Sequence, residues 1–181
     1  MGDYRVCDEP DSLLREHLTL FTPELKQYPI LDLACGDGHN GIFLAQRGFR
    51  VVFADRSEEA LKEVKRWADA ENRAVTLWHI DLEAEASDPF SGRTFSVIIV
   101  FRYLHRPLIP AIRNALAPGG ILIYETFTEQ QAQFGKPKNP DHLLKQGELL
   151  SWFQDWEVLH TFEEIVGEPP KAIAQLVCRK P

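Results

Sequence analysis

The stretch LDLACGDGHNG, residues 31–41, decides the fold. The apolar run at 29–34 predicts a β-strand, and the pattern at 40–47 predicts a short helix directly after a glycine-rich turn. Gly36 and Gly38 let the backbone turn tightly and come close to a ligand. The helix start behind them offers free N–H groups and the positive end of the helix dipole, which suit an anionic group. The alternative is an ordinary tight turn between a strand and a helix.

Outward from this turn, the chain alternates between short β-like runs and helical patterns. The continuous apolar run at 95–101 is typical of a strand buried on both faces of a parallel sheet. The other predicted strands are 49–54, 75–80, 121–125, 157–166 and 172–179, and the other predicted helices are 57–72, 108–116 and 143–153. This order predicts an α/β fold with parallel strands, right-handed crossovers, helices on both faces and a terminal hairpin. Ligands of such sheets bind beyond the carboxyl ends of the strands.

Composition predicts one soluble globular domain over residues 1–181, with a mass of 20.7 kDa. Hydrophobic residues make up 44% and charged residues 26%, which excludes a disordered chain, a collagen-like repeat and a disulfide scaffold. Because the net charge is −7, we do not expect tight nonspecific binding to DNA or RNA. The chain has no apolar run of the ~18 residues that a membrane span requires.

The cysteines indicate a reducing compartment, and the spacing of the cysteines and histidines does not indicate a metal site. Cys7, Cys35 and Cys178 are an odd number without metal-ligand spacing, and the histidines are scattered. We therefore expect reduced thiols, a cytoplasmic location and no metal site. The acidic N-terminus lacks the apolar region of a signal peptide.

Asp32 lies inside an otherwise apolar strand, four residues before the first glycine. A partly desolvated carboxylate there needs a partner. The spacing of Gly36, Gly38 and Gly41 alone fits two classes of nucleotide cofactor. A ligand ammonium would serve Asp32, and S-adenosylmethionine has an α-amino group where a dinucleotide has none. The alternative is that Asp32 caps backbone N–H groups of the glycine loop.

Acids also close the next two predicted strands. Asp55 can accept hydrogen bonds from both ribose hydroxyls of an adenosine, or it can cap the following helix. Asp81 can accept from the amino group of adenine, with Leu82 against the face of the ring. Three acids closing three successive strands make a stronger joint signal for a nucleoside ligand than any one of them.

Together, the segments LDLACGDGHN, FADRS, HIDL, FSVIIVFRYLHR and LAPGGILIYETF resemble the class I S-adenosylmethionine-dependent methyltransferases. The resemblance runs from Pro29 to Phe127, and within the family it is nearest to small tellurite-resistance-type methyltransferases. It implies a Rossmann-like three-layer sandwich with a mostly parallel seven-stranded sheet. The implied strand order is 3-2-1-4-5-7-6, with strand 7 antiparallel. It also implies S-adenosylmethionine as the cofactor and S-adenosylhomocysteine as its product.

The resemblance assigns cofactor contacts to the carboxyl ends of the first four strands. These positions are Asp32, Ala34, Cys35, Gly36, Gly38, Asp55, Arg56, Asp81, Leu82 and Phe101. Asp32 would hold the methionine amine, Asp55 the ribose and Asp81 the adenine, which Arg56 would flank. The loop residues would line the methionine and ribose with their backbone. Ala34 stands where the family has its first loop glycine, and its small side chain should be tolerated.

The candidates for chemistry follow strands four and five. His105 could act as a general base, and Tyr103 could face the cationic sulfonium. Arg102 and Arg106 could hold an anionic acceptor, and Arg102 also borders the methyl donor by resemblance. The alternative is a solvated loop whose arginines pair with the excess acids of the protein. Glu125 suits a cationic or hydroxylated acceptor, or it could pair with Arg102.

These features predict a methyltransferase that acts on a small molecule by in-line displacement, with alignment of the reactants as its main contribution. We expect an N-terminal helical cover at 1–28, a cofactor-binding core at 29–127, a mobile lid loop at 128–142, and a helix with a hairpin at 143–181. The alternatives are an NAD(P)-dependent oxidoreductase or a cofactor-binding module without activity. The identity of the acceptor and the oligomeric state stay open.

Overall fold

One seven-stranded sheet organises the protein in a computed structural model that describes residues 9–84 and 89–181. Its strands are β1 (Ile30–Leu33), β2 (Val51–Asp55), β3 (Thr76–His79), β4 (Phe95–Phe101), β5 (Leu116–Phe127), β6 (Glu157–Val166) and β7 (Lys171–Arg179). Their order in the sheet is β3-β2-β1-β4-β5-β7-β6. β7 is antiparallel to β5 and β6, and the other neighbours are parallel. The predicted fold class, strand order and antiparallel strand 7 are confirmed.

Helices cover both faces of the sheet. They are α1 (Ser12–Glu16), α2 (His39–Gln46), α3 (Glu58–Ala70), α4 (Ile109–Ala115) and α5 (Glu148–Ser151), with short 3₁₀ turns at Leu18–Leu20, Pro23–Lys26, Arg106–Leu108, Glu129–Gln133 and Pro140–His142. The buried side chains of α1, α2 and α3 share one core cluster. Those of α4 and α5 share the other. The result is the predicted three-layer arrangement.

The central strand β4 is buried along its whole length, as its apolar sequence predicts. Val97 and Ile99 pack into the cluster under α1 to α3, and Ile98 and Val100 pack into the cluster under α4 and α5. This alternation follows from the two-residue period of a strand. It holds the carboxyl end of β4 rigidly between the ends of β1 and β5.

The start of α3 shows how the sequence builds these elements locally. Ser57 precedes the helix in an extended conformation, and its Oγ accepts a hydrogen bond from Ala60 N at 3.2 Å. Leu61 and Val64 lie on the buried face of the helix. The prediction of a helix capped by Ser57 is confirmed.

The strand predicted at 121–125 is longer than expected. β5 begins at Leu116, which pairs with Phe95 of β4, and residues 117–120 form an irregularity within the strand. Gly119 has a φ of +73°, and its N–H bonds to Lys180 O at 2.9 Å. Gly119 and Gly120 thus bond to Lys180 just beyond β7, whereas pairing with β4 resumes only at Ile121. The predicted helix at 108–116 ends one residue earlier.

The helix predicted at 143–153 is wrong over most of its length. Only Glu148–Ser151 is helical, and Gly147 precedes it with a φ of +69°. Leu143 and Leu144 are buried from an extended segment, in which Leu144 forms a bridge with Thr128. These two leucines thus reach the core from an extended backbone and not from a helix.

Three findings concern the composition-based expectations. In the described ranges, no helix has the length and apolarity needed to cross a membrane. Across the same ranges, no cluster of three or more His, Cys, Asp or Glu side chains could hold a metal ion. Cys35 and Cys178 are free and buried, and Cys7 lies outside the described residues.

Candidate active site

A cavity of about 860 Å³ opens at the carboxyl ends of β1 to β5. Its size suits a nucleotide-sized ligand. The predicted site residues that line it are Ala34, Asp55, Arg56, Asp81, Leu82, Arg102 and Tyr103. The segment at 136–142, from the loop predicted as a lid, supplies another part of its wall. The strand ends and this segment therefore border one common site.

Asp55 ties the glycine loop to the end of β2. Its Oδ2 accepts a hydrogen bond from Gly36 N at 2.8 Å, and its Oδ1 accepts from Ser57 N at 2.8 Å. A carboxylate can accept about four hydrogen bonds, so Asp55 keeps capacity toward the cavity that it lines. The cap of α3 itself is Ser57. Asp55 therefore supports the loop and faces the ligand space at once.

The glycine loop has a left-handed backbone at three positions. The φ angles are +54° at Ala34, +54° at Gly36 and +77° at Gly38. Left-handed backbone costs a residue with a Cβ roughly 1–2 kcal/mol, and Ala34 carries this cost where the family has glycine. A Cβ at Gly38 would lie 2.5 Å from Val64 Cγ2, whereas one at Gly36 would have no neighbour within 4 Å. Gly38 is therefore required for packing as well as for conformation.

Asp32 lies beneath α2 and outside the lining of the cavity. Only 3% of its surface is exposed, and its Oδ2 accepts a hydrogen bond from Gly41 N at 2.9 Å. Burial raises its pKa to about 7, against the effect of the Gly41 N–H. This is the geometry of the alternative interpretation, in which Asp32 caps the backbone behind the glycine loop. Its contact with the methionine amine stays a prediction.

Four other predicted cofactor residues lie around the loop without lining the cavity. They are Cys35, Gly36, Gly38 and Phe101. Burial raises the pKa of the Cys35 thiol, which therefore packs as a small neutral side chain. Their predicted roles need a ligand that reaches the loop backbone itself.

The end of β3 forms an apolar wall with an acidic rim. Ile80 and Leu82 are buried and line the cavity. Asp81 lies between them and is exposed, and its Oδ1 accepts a hydrogen bond from Glu83 N at 3.0 Å. A flat base against the two aliphatic side chains would have a carboxylate at its edge. Asp81 and Leu82 both line the cavity, and their contact with adenine stays a prediction.

The Tyr103 hydroxyl is buried and has no hydrogen-bond partner among the described residues. Burial raises its pKa, and the charges of Glu83 and Asp81 add to the effect, so the phenol stays neutral. Tyr103 lines the cavity together with Asp81 and Glu83. Its backbone carbonyl accepts a hydrogen bond from Tyr124 Oη at 3.1 Å, which fixes the segment after β4.

An ion cluster that the sequence analysis did not find lies at the end of β4. The Arg102 guanidinium pairs with Asp11, which precedes α1, and Arg102 itself has a φ of +56°. Asp11 Oδ2 is 3.0 Å from His39 Nε2 and accepts from Asn40 Nδ2 at 2.9 Å. His39 Nδ1 also lies 2.7 Å from Asp37 Oδ1. Asp11 is separated from Arg102 by 91 positions, so no local pattern could reveal this contact.

The charges of this cluster reinforce one another. Burial raises the pKa of Asp11, but hydrogen bonds from His39 and Asn40 and the charge of Arg102 bring it down to about 2. The hydrogen bond to Asp11 raises the pKa of His39 to about 9, against burial, and Asp37 contributes further. At neutral pH the cluster therefore holds an aspartate carboxylate between two cations.

Glu125 lies near the end of β5 and is bound by Gln175 of β7. Its Oε2 accepts a hydrogen bond from Gln175 Nε2 at 2.7 Å, and only 8% of the residue is exposed. Burial raises its pKa, and the Gln175 amide opposes this. Among the described residues, the hydrogen-bonded ion pair of Arg102 is with Asp11. The predicted alternative of a Glu125–Arg102 pair is therefore not the observed arrangement.

His105 and Arg106 line the same hollow, but the Arg106 side chain is held by hydrogen bonds to neighbouring segments. His105 lines an adjoining hollow of about 410 Å³, which shares Leu104 and His142 with the main cavity. Arg106 binds Glu148 through Nε at 2.8 Å and also donates to the carbonyl oxygens of residues 141 and 143. Its donors are committed to fastening the chain, which is the alternative interpretation of a paired arginine. A direct role for Arg106 in holding an acceptor is not supported.

The segment 128–142 is anchored rather than free over its length. Gln131 is 5% exposed, and its Oε1 accepts a hydrogen bond from Ala172 N of β7 at 2.9 Å. Its Nε2 donates to Lys136 O at 3.3 Å. One buried amide thus ties the first half of the segment to the sheet, and its movement as a lid stays a prediction. Residues 136–142 then extend over the cavity.

Comparisons with known proteins show the family of the chain. Residues 30–120 match the profile of the methyltransferase domain family. Hemagglutinin 1 from Eikenella corrodens is 31% identical over 142 residues, 76% of this chain and 46% of that protein. The probable S-adenosyl-L-methionine-dependent methyltransferase TehB from Haemophilus influenzae is 25% identical over 144 residues, 77% of this chain and 49% of that protein. The crystal structure of TehB from that organism has a TM-score of 0.81 at 19% identity, covering 98% of this chain and 64% of that one.

The chain belongs to the methyltransferase domain family, and it has the class I S-adenosylmethionine-dependent fold. The predicted family, enzyme class and cofactor class are confirmed at this level, and the oxidoreductase alternative is set aside. The chain matches about half the length of these curated relatives.

Proposed function

We propose that the protein transfers a methyl group from S-adenosylmethionine to a small-molecule acceptor. One observation carries this most: the carboxylates of Asp55 and Asp81, at the ends of neighbouring strands, line the same cavity as the glycine-loop residue Ala34. Their spacing along the sheet suits the ribose and the base of one adenosine.

The residues present fit this cofactor. A Cβ at Gly36 would meet no protein atom within 4 Å, so a ligand has room to approach the backbone of the loop there. Asp55 retains acceptor capacity for ribose hydroxyls after binding the loop. Leu82 lies in the wall as the apolar surface for a base. Arg102 stands at the end of β4, where its cation suits the methionine carboxylate.

Bound S-adenosylmethionine would supply a methyl group on a cationic sulfur. The sulfur would leave as the acceptor attacks the methyl carbon in line. The chain's own part is alignment and the exclusion of water. The neutral Tyr103 phenol and the side chain of Leu104 border the reaction space after β4. His105, in the adjoining hollow, would take a proton from an acceptor that extends into that hollow. Glu125 would face a cationic or hydroxylated group from the end of β5.

The walls of the cavity are formed by the strand ends and one nearby segment, which supports a small acceptor. Beyond the strand ends, Phe127, Lys136 and Lys138 enclose the cavity. Among the described residues, neither lysine side chain has a hydrogen bond or ion pair, so each ammonium is available to an anionic group of a ligand. Residues 128–142 and the N-terminal segment before Leu20 would act as covers over the bound molecules.

We also infer a reducing, cytoplasmic location from the thiols. Cys35 and Cys178 are free and buried, each in a different core cluster, so they do not pair with each other.

The test is methyl transfer from S-adenosylmethionine carrying a labelled methyl group, with a cell extract divided into small molecules and macromolecules. We expect label in the small-molecule fraction with the native protein and a large reduction with Asp55→Asn. The control variant is Asp69→Asn, an exposed aspartate of α3 that pairs with Lys65. Label in the macromolecular fraction alone would contradict a small acceptor, and S-adenosylmethionine that does not bind would contradict the proposed activity.

A further inference from the structure

Gln175 links Glu125 to a histidine on the neighbouring strand. Gln175 stands directly opposite Glu125 in the β5–β7 pairing, and its Nε2 donates to Glu125 Oε2 at 2.7 Å. Its Oε1 lies 3.1 Å from His160 Nε2 on β6. The amide nitrogen thus faces Glu125 and the amide oxygen faces His160. His160 then carries a proton on Nε2. The side chains of His160, Gln175 and Glu125, on three neighbouring strands, therefore form one hydrogen-bonded chain.

The line continues to the N-terminal helix. The ring of His160 contacts the ring of His17, with centroids 5.0 Å apart. His17 follows the last residue of α1, and its Nδ1 lies 2.9 Å from Leu13 O. At the other end of α1, Asp11 pairs with Arg102. One end of α1 therefore contacts Arg102 directly, and the other end is linked to Glu125 through His160 and Gln175.

The surroundings of Glu125 make its charge state depend on these contacts. Burial and the charge of Asp11 raise its pKa, while Gln175, Arg102 at the end of β4 and Lys171 of β7 lower it. His160 faces it from β6 only through Gln175, and His17 faces it only through His160. Gln175 is the one hydrogen-bond donor to this carboxylate among the described residues. A buried carboxyl without a donor takes up a proton.

We propose that Gln175, held by His160, is a positioning residue that keeps Glu125 ionised and leaves Glu125 Oε1 to accept a hydrogen bond from a ligand ammonium. The ammonium comes either from the methionine end of the cofactor or from the acceptor. Only that last assignment rests on the proposed function. The positioning of Glu125 by the amide is a property of the chain by itself.

The first measurement follows the carboxyl group directly. Carbon-13 NMR of the full-length protein, labelled at glutamate carboxyl carbons, gives the titration midpoint of Glu125, with Glu125→Gln to assign its signal. In Gln175→Met, which keeps the length of the side chain without its polar atoms, we expect the midpoint to rise by about 1 pH unit or more. His160→Phe keeps the ring against His17 and should raise the midpoint by less. Thr161→Val, an exposed neighbour on β6, should leave it unchanged.

The outcome of these titrations decides the positioning role. A Gln175→Met protein whose Glu125 midpoint equals the native value would overturn the proposal. If that variant does not fold, His160→Phe gives the same test, since it leaves Gln175 and Glu125 in place. A midpoint unchanged in His160→Phe would then overturn the proposal, because the amide that acts on Glu125 is itself held by His160.

The second measurement identifies the source of the ammonium. S-adenosylhomocysteine and methylthioadenosine, which lacks the amino acid part, are titrated calorimetrically into the native protein, Gln175→Met and Glu125→Gln. A loss of about tenfold for S-adenosylhomocysteine alone assigns the ammonium to the cofactor. Unchanged binding of both, with a shifted midpoint, assigns it to the acceptor. A native protein that binds neither nucleoside would contradict the proposed function, while the titration would still decide the role of Gln175.

Discussion

The carboxylate of Asp55, the last residue of β2, accepts a hydrogen bond from the backbone N–H of Gly36, in the loop after β1, at 2.8 Å. This contact joins the carboxyl ends of two parallel strands across the mouth of the cavity. It explains why the loop holds a left-handed backbone at Gly36 without any side-chain packing there. One acid thus shapes the loop and also lines the cavity beside it.

The two glycines of this loop should differ in their tolerance of alanine. Gly38→Ala adds a Cβ 2.5 Å from Val64 Cγ2 at a φ of +77°, and we expect it to lower the free energy of unfolding by about 2–4 kcal/mol. Gly36→Ala meets nothing within 4 Å and should cost about 1 kcal/mol for its left-handed backbone alone. Urea unfolding of both variants provides the comparison. Equal losses would show that packing at Gly38 is not the deciding factor.

The docking of α1 should depend on pH through His39. Its folded pKa of about 9 lies above the ordinary value of 6.5, so its contribution is complete below 6.5 and is lost as pH rises through 9. Asp11, with a folded pKa of about 2, contributes above its ordinary 3.8 and loses its effect only in strong acid. We expect protection of residues 12–16 from hydrogen exchange to fall between pH 6.5 and 9.

Asp11→Asn is the variant that checks this dependence. It should reduce the protection of residues 12–16 at neutral pH and remove its change with pH, after correction for intrinsic exchange. The control is Glu9→Gln, which alters only an exposed pair with Arg15. A native pH profile in Asp11→Asn would show that the cluster does not hold α1.

Asp32 should make the native protein less stable as the pH rises. Its folded pKa of about 7 lies above the ordinary 3.8 because the group is buried, so the folded state binds an extra proton in this range. The stabilisation is complete below 3.8 and is lost as pH rises through 7. In Asp32→Asn, which keeps an acceptor for Gly41 N, the free energy of unfolding should lack this decline, a difference of at least ~1 kcal/mol. Urea unfolding at several pH values measures it, and parallel curves for both proteins would refute the assignment.

Gln131 should control the segment over the cavity. Gln131→Leu leaves the N–H of Ala172 and the carbonyl of Lys136 without their partner, and we expect a loss of about 1–3 kcal/mol in stability. Limited proteolysis should then cut faster within 128–142. Gln133→Leu changes an exposed residue of the same 3₁₀ turn and should leave the cutting rate as it is. Added S-adenosylhomocysteine should slow the cutting in the native protein if the segment covers the cofactor.

Local patterns were sufficient to predict the sheet and the ligand side of the fold. Apolar runs such as 95–101 located the buried strands, and the acids at Asp55 and Asp81 followed from the position where each run stops. Strand order and the antiparallel strand came from the family resemblance, because no pairing of distant strands is encoded in a local period. The structure agrees with both.

The wrong helix and the missed side-chain contacts share one physical cause, which is tertiary contact between residues far apart in the sequence. Leu143 and Leu144 have helical spacing, yet they are buried in an extended segment by the core beneath them. Asp11 reaches Arg102 across 91 positions, and Gln175 reaches Glu125 across 50. The candidate site was therefore predicted where a strand end defines it and missed where side chains from distant segments complete it.

The central claim is that the cavity binds S-adenosylmethionine through Asp55 and the loop it supports. Calorimetric titration of S-adenosylmethionine, S-adenosylhomocysteine and NADH into the native protein, Asp55→Asn and Asp69→Asn tests it most directly. We predict saturable binding of the first two ligands, an affinity at least about tenfold lower in Asp55→Asn, native behaviour in Asp69→Asn and no binding of NADH. Binding of NADH alone, or equal affinity for S-adenosylhomocysteine in the native protein and Asp55→Asn, would contradict the account.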